Sequence, residues 1–139
     1  MCGLLGYVSL NKNVREKLAV LRKGLCRLSH RGPDSEGEYF DDTVYFGHKR
    51  LSIIDVTSAG AQPRKSRCSS AYLIFNGEIY NYKELAVSLN IKTTTDSDVI
   101  LEGYLREGPN FSQNLEACMH FRYMFPSRKR WCSHGTTLE

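Results

Sequence analysis

At 139 residues, with 41% hydrophobic and 24% charged side chains, the chain has the length of at most one domain and an ordinary globular composition. No run approaches the roughly 20 apolar residues that a membrane helix needs, and "MCGLLGYVSLNKN" lacks the basic start of a secretory signal, which leaves the cytoplasm as the expected location and no membrane partner. The formal charge of +4 is concentrated: residues 117–139 hold Arg122, Arg128, Lys129 and Arg130 against Glu139, a net of +3, and the remainder is near neutral at +1.

A nucleic-acid footprint needs a basic face on the folded body, so charges gathered in a tail argue against nucleic acid as a partner. Five cysteines (Cys2, Cys26, Cys68, Cys118 and Cys132) are odd in number and scattered, with no CxxC pair. That pattern fits neither a disulfide framework nor a zinc site, so reduced thiols and no bound metal are expected.

In chain order, residues 4–8 are a short apolar run expected as a strand. Val14, Leu18, Leu21, Leu25 and Leu28 recur at spacings of four, three, four and three. That is the stripe of an amphipathic helix, ended by Ser29-His30-Arg31-Gly32-Pro33. Residues 44–48 and 51–55 are predicted as two strands separated by Lys49-Arg50, and "TSAGAQP" as a loop. Residues 71–75 form a further predicted strand, closed by Asn76-Gly77, a dipeptide suited to positive φ.

Asn81 is placed to cap a short helix through Leu89. In "TTTDSDVILEGYLREG", Thr95 is a predicted N-cap, Asp98 completes a capping box and Gly108 is the stop. Helix and strand alternate loosely, which predicts an α/β or α+β domain without choosing between them.

The chemistry begins at Cys2. Its side chain is small enough for Met1 to be removed, leaving a thiol and a free α-amine on one residue. An α-amine titrates near about 7.7–8.0, so at physiological pH it can accept the thiol proton directly or through one water. Gly3 behind it would admit a close substrate. Read alone, Cys2 is equally an inert residue at a frayed end. A nucleophile attacking an amide needs an oxyanion hole, and the Asn76 amide with the Gly77 N–H offers one. Arg50 in "GHKRLSIID" can grip a carboxylate bidentately, and Asp96 with Glu78 can receive an ammonium. Taken singly, these are a hairpin turn, a surface ion pair and a helix-start residue.

Together the stretches are less independent. "MCGLLGY", "HRGPDSEG", "GHKRLSIID", "GAQP", "FNGEIYNYKEL" and "TTTDSDVILEGY", in this order, resemble the N-terminal class II glutamine amidotransferase (glutaminase) domain of the glutamine-hydrolysing asparagine synthetases. The resemblance covers residues 1–116 nearly without gaps. It implies an α+β N-terminal nucleophile (Ntn) hydrolase fold, a four-layer αββα sandwich of two antiparallel sheets between helical layers, incomplete at the C-terminus.

Carried over, Cys2 matches the nucleophile, and Asn76 and Gly77 the oxyanion pair. Arg50, Leu51, Ser52, Ile53, Ile54, Asn76, Gly77, Glu78 and Asp96 match glutamine-binding positions. The implied reaction is hydrolysis of glutamine to glutamate and ammonia through a thioester. The resemblance implies no cofactor in this chain. In intact relatives a separate C-terminal synthetase domain uses ATP and Mg to activate aspartate and accept the ammonia, and a homodimer is implied. Two other readings are an amidotransferase serving another acceptor, such as a cell-envelope carboxylate, and a non-catalytic remnant or binding module.

After Glu116 the family pattern stops, and "ACMHFRYMFPSRKRWCSHGTTLE" looks like poor strand material, expected to be poorly ordered over residues 117–139. Relatives carry a Gly-Met-(aromatic or His)-Ala-Phe strand there. Reading the last base of each codon with the first two of the next, Met119-His120 forces alanine, and the neighbouring pairs permit Gly-Met-His-Ala-Phe. From Ser133 onward the same frame permits Arg-Asp-His-Leu-Gly, a second family element. Residues 117–139 are therefore expected to be the product of a one-base frameshift, the competing account being a genuine short isoform. Missing family strands would leave sheet edges exposed, so a chain that folds poorly or turns over weakly is expected.

Overall fold

The computed structural model describes residues 2–52, 60–68, 71–125 and 130–136, those beyond Ala117 by their backbone. The chain divides into two compact units, Met1–Pro63 and Arg64–Glu139. Both are α+β, with an antiparallel sheet and one or more helices.

The first unit contains β1 (Gly3–Val8), α1 (Val14–Cys26), β2 (Ser35–Phe40) and β3 (Val44–Arg50). Its sheet runs in the order β1-β3-β2, with Leu5 and Glu38 both opposite Gly47. The apolar stripe of α1 is the face turned to the sheet. Val14 and Leu25 are buried, Leu18 and Leu21 half-buried, and Arg15, Val20 and Lys23 on the far side are exposed. No break between strands falls at Lys49-Arg50: β3 runs through both residues and ends at Arg50. Leu51 and Ser52 are in no strand, and the rest of the predicted strand, residues 53–55, lies outside the described residues.

β2 has no apolar alternation to announce it, and charge rather than hydrophobicity attaches its side chains. Arg22 of α1 donates to Glu38 at 3.0 and 2.5 Å, and Lys49 pairs with Glu36. The guanidinium carbons of Arg15 and Arg22 stand 5.9 and 5.7 Å from the Phe40 ring centroid. Exposed pairs of this kind contribute about 0–1 kcal/mol each, so the ladder to β3 carries most of the strand's attachment.

Tyr45, fully buried in β3, donates its phenol to Glu38 at 3.3 Å. Burial, together with the Glu38 charge, pushes the phenol from 10.0 up to about 12. A proton held more tightly in the fold stabilises the unit fully below pH 10, and that contribution is lost as pH rises toward 12. The unit is expected to lose on the order of 2 kcal/mol across this window. Denaturant titrations at stepped pH check this: Tyr45→Phe should flatten the alkaline decline, and an unchanged decline would rule the assignment out.

The second unit contains β4 (Arg64–Lys65), β5 (Tyr72–Ile79), α2 (Tyr82–Ser88), α3 (Asp96–Glu107), a 3₁₀ helix (Gly108–Asn114), β6 (Ala117–Phe125) and β7 (Arg130–Thr136). Its antiparallel sheet is ordered β4-β5-β6-β7. One face of β5 (Leu73, Phe75, Ile79) buries against Ile100 and Leu101 of α3 and Ala117. Ala86, Leu89, Ile91, Val99 and Phe111 form a second cluster joining α2, α3 and the 3₁₀ helix.

Two expectations about strands fail in this unit. Asn76-Gly77 makes no turn, because β5 continues through both residues to Ile79. The backbone that looked like poor strand material supplies β6 and β7, with Ala117 opposite Ile79 and Met124 opposite Tyr72. An open strand edge recruits peptide groups, and these are the same whatever the side chains.

The helix caps also differ from expectation. Thr95 occupies the N-cap of α3 but its side chain makes no cap bond. The carboxylate of Asp98 instead accepts from Arg64 Nε at 2.6 Å and Nη2 at 2.9 Å, and from the Thr93 hydroxyl at 2.9 Å. Asn81 likewise precedes α2 without capping it; its side chain donates to the Asn114 carbonyl and accepts from the Glu116 N–H. Gly108 ends α3 as expected, at φ 74°.

Candidate active site

Cys2 stands one residue ahead of β1. Gly3 pairs with Lys49, so the next step of the register brings Cys2 opposite Arg50. The thiol is half-buried and carries no disulfide. Its sulfur lies between the two polar groups of a single residue: the Leu51 N–H donates to Sγ at 3.4 Å, and the Leu51 carbonyl is 3.7 Å from Sγ. Arg50 is buried at the end of β3, its guanidinium laid against Gly60, where a Cβ would fall 2.1 Å from Nη2. Gly3, expected to admit a substrate, is needed for packing: a Cβ there would sit 2.9 Å from the Cβ of Leu28.

The first unit therefore brings Cys2, Arg50 and Leu51 together, with Ser52 adjacent in sequence. Ile53 and Ile54 lie outside the described residues, as does Met1. Asp34 emerges only from the geometry. Its N–H donates to the Arg50 carbonyl at 3.1 Å, and its carboxylate accepts from the Ser52 N–H at 2.7 Å. The stretch "HRGPDSEG" contained it, but nothing in the spacing tied it to residues 50–52.

Asn76, Gly77, Glu78 and Asp96 all belong to the second unit. The Tyr80 N–H donates to Glu116, on the β6 side, while the Ile79 N–H turns the other way to Asp96 Oδ2 at 3.4 Å. Strand N–H groups alternate in direction, so the Gly77 N–H shares the Ile79 edge, away from β6. β4 reaches only Tyr72 and Leu73 on that edge. The oxyanion donor expected at Gly77 is thus on the side of β5 that its neighbouring strand leaves uncovered. Asn76 is half-buried on the opposite face from Phe75 and Gly77.

Asp96 begins α3. Burial pushes its carboxyl up, the N–H groups of Ile79 and Ser97 pull it down, and the charge of Glu78 raises it further. A bound cation beside these two carboxylates would offset both the desolvation and the repulsion. Among the described residues, no cluster of three or more His, Cys, Asp or Glu side chains is arranged to hold a metal ion. No helix among them is long and apolar enough to cross a membrane.

A glutamine amidotransferase domain model matches residues 1–130. Asparagine synthetase [glutamine-hydrolyzing] 2 of Bacillus subtilis is 39% identical over 120 residues, which cover 83% of this chain and 16% of that protein. Asparagine synthetase B [glutamine-hydrolyzing] of Escherichia coli is 37% identical over 129 residues, 87% of this chain and 22% of that protein. Amidase chry2 of Gibberella zeae is 30% identical over 130 residues, 83% of this chain and 19% of that protein. The chain thus spans about a fifth of the length of the relatives it matches.

Proposed function

Since the chain belongs to the glutamine amidotransferase domain family, we propose that it is the glutamine-hydrolysing part of a glutamine-dependent asparagine synthetase, working in the cytoplasm through an N-terminal cysteine. The observation that carries this reading is the Cys2 sulfur seated on the Leu51 peptide, next in sequence to Arg50. The complete fold on this reading is the Ntn four-layer sandwich.

The steps follow from the residues. With Met1 removed, the Cys2 α-amine takes the thiol proton and the sulfur attacks the side-chain carbonyl of glutamine. The Asn76 amide and the Gly77 N–H receive the developing oxyanion. The collapsing intermediate expels the amide nitrogen as ammonia, which leaves with the proton held by the amine. Water then hydrolyses the thioester to glutamate and restores the thiol. Arg50 holds the substrate carboxylate, Glu78 and Asp96 its ammonium, and Leu51, Ser52, Ile53 and Ile54 the remainder.

The ammonia acceptor is proposed to be aspartate, activated with ATP and Mg by a synthetase domain outside this chain, in a homodimeric whole. A second reading keeps the hydrolysis and changes the acceptor to another carboxylate. The likeness to a protein named an amidase supports only the amide-cleaving half that both readings share. Residues 117–139 we infer to come from a one-base shift in reading frame, with turnover weakened as a result.

An electrophilic glutamine analogue tests the catalytic reading. A single adduct on Cys2, found by intact mass and peptide mapping with Cys26 and Cys68 unlabelled, is the expected result. Absence of any adduct would leave a binding module in its place.

A further inference from the structure

"HRGPDSEG" takes no role in the catalytic steps, yet it packs on the segment beside the thiol. At Gly32 a Cβ would fall 2.2 Å from the Lys49 carbonyl oxygen and 2.6 Å from the Arg50 nitrogen. The backbone there rests directly on the end of β3, and only glycine allows it. Two residues on, Asp34 spans the next three positions: its N–H donates to the Arg50 carbonyl at 3.1 Å, and its Oδ2 accepts the Ser52 N–H at 2.7 Å. These bonds straddle Leu51, whose N–H and carbonyl stand 3.4 and 3.7 Å from Sγ of Cys2. Leu51 lies past the end of β3, so no sheet ladder sets its orientation.

We propose that Asp34 is a positioning residue for the Cys2 thiol, fixing the Arg50–Ser52 turn and through it the Leu51 N–H aimed at sulfur. An N–H held on sulfur sets the direction from which the sulfur attacks. The requirement is one oxygen acceptor at the right place, whatever its charge. This inference rests on Cys2 being the nucleophile.

Two variants of the full chain separate geometry from charge. Asp34→Asn keeps an acceptor oxygen in place, whereas Asp34→Glu keeps the charge and moves the acceptor out by one methylene. The readouts are the iodoacetamide alkylation rate of Cys2, resolved from Cys26 and Cys68 by peptide mass, and kcat and KM for glutamine. Asp34→Asn is expected to stay within about twofold of the parent, and Asp34→Glu to slow Cys2 alkylation and kcat about tenfold while KM and Cys26 alkylation hold.

A loss in Asp34→Asn equal to that in Asp34→Glu, or parental rates in Asp34→Glu, would overturn the proposal. Gly32→Ala, which lifts the same loop off β3, is expected to slow Cys2 similarly and replaces Asp34→Glu if that variant does not fold. Cys2→Ala separates the two levels. Should it still hydrolyse glutamine, the nucleophile assignment fails, while the alkylation rates still judge what orients the thiol.

Discussion

Cys2→Ala is expected to lower glutamine hydrolysis by at least about 1,000-fold, the scale on which removing a covalent nucleophile acts. The alanine leaves Cys26 and Cys68 in place, both exposed and in no disulfide, so any residual ammonia release measures what unspecialised sulfur can do. Cys2→Ser keeps a hydroxyl in nearly the same volume and is expected to fail almost as completely, because an unactivated hydroxyl is a far weaker nucleophile than a thiolate. The free amine is equally necessary to the mechanism. Protein whose intact mass still includes Met1 is expected to be inactive. Coupled ammonia and glutamate assays on mass-defined material check both halves, and turnover by Met1-bearing protein would remove the amine from the reaction.

The largest expected effect on stability lies at the pair joining β4 to α3. Asp98 and Arg64 expose only 16% and 28% of their side chains, and both Arg64 bonds are short and charge-assisted. Burial raises the Asp98 carboxyl, but the hydrogen bonds from Arg64 and Thr93 and the Arg64 charge outweigh it and hold the group below 3.8. A carboxylate depressed in the fold contributes stability above its unfolded value and loses it as pH falls through the folded one. The second unit should therefore weaken with acid below about pH 4.

Asp98→Ala is expected to cost about 2–3 kcal/mol at neutral pH, since it strands a largely buried guanidinium from these acceptors. Replacing both residues with apolar side chains of similar volume should recover some of that loss. Thermal melts at pH 7 and pH 3 check the sign: the variant should lose little further stability on acidification, while the parent loses more. Equal acid losses in the two proteins would discard the assignment.

Elements carried by local periodicity were legible from the sequence. The Val14–Leu25 stripe became the buried face of α1, and the strand expected over residues 4–8 became β1 with one added residue. Elements carried by long-range pairing were not. "SEGEYF" has no apolar rhythm and is a strand because β3 accepts it. Asn76-Gly77 looks like a turn locally, but β6 runs alongside and keeps it extended. The Thr95–Asp98 capping box failed because a partner 34 residues away in sequence offers Asp98 a stronger bond than its own helix end does.

Much the same holds for the site. Residue types such as Cys2, Arg50, Asn76 and Asp96 announce their chemistry, and three of the first unit's predicted residues meet. The contributions of main chain, namely the Leu51 peptide on sulfur and the loop at Gly32, carry no side-chain signature to read.

Dependence on main chain bears on how such a centre changes over time. Among the described residues, the two polar groups on the sulfur belong to one amino acid's main chain, so nearly any substitution at that position would swap a side chain and leave the contact standing. Proline alone would delete the donor. What inheritance must preserve for this contact is the route the polypeptide takes through residue 51, and a change of that one letter leaves the route standing.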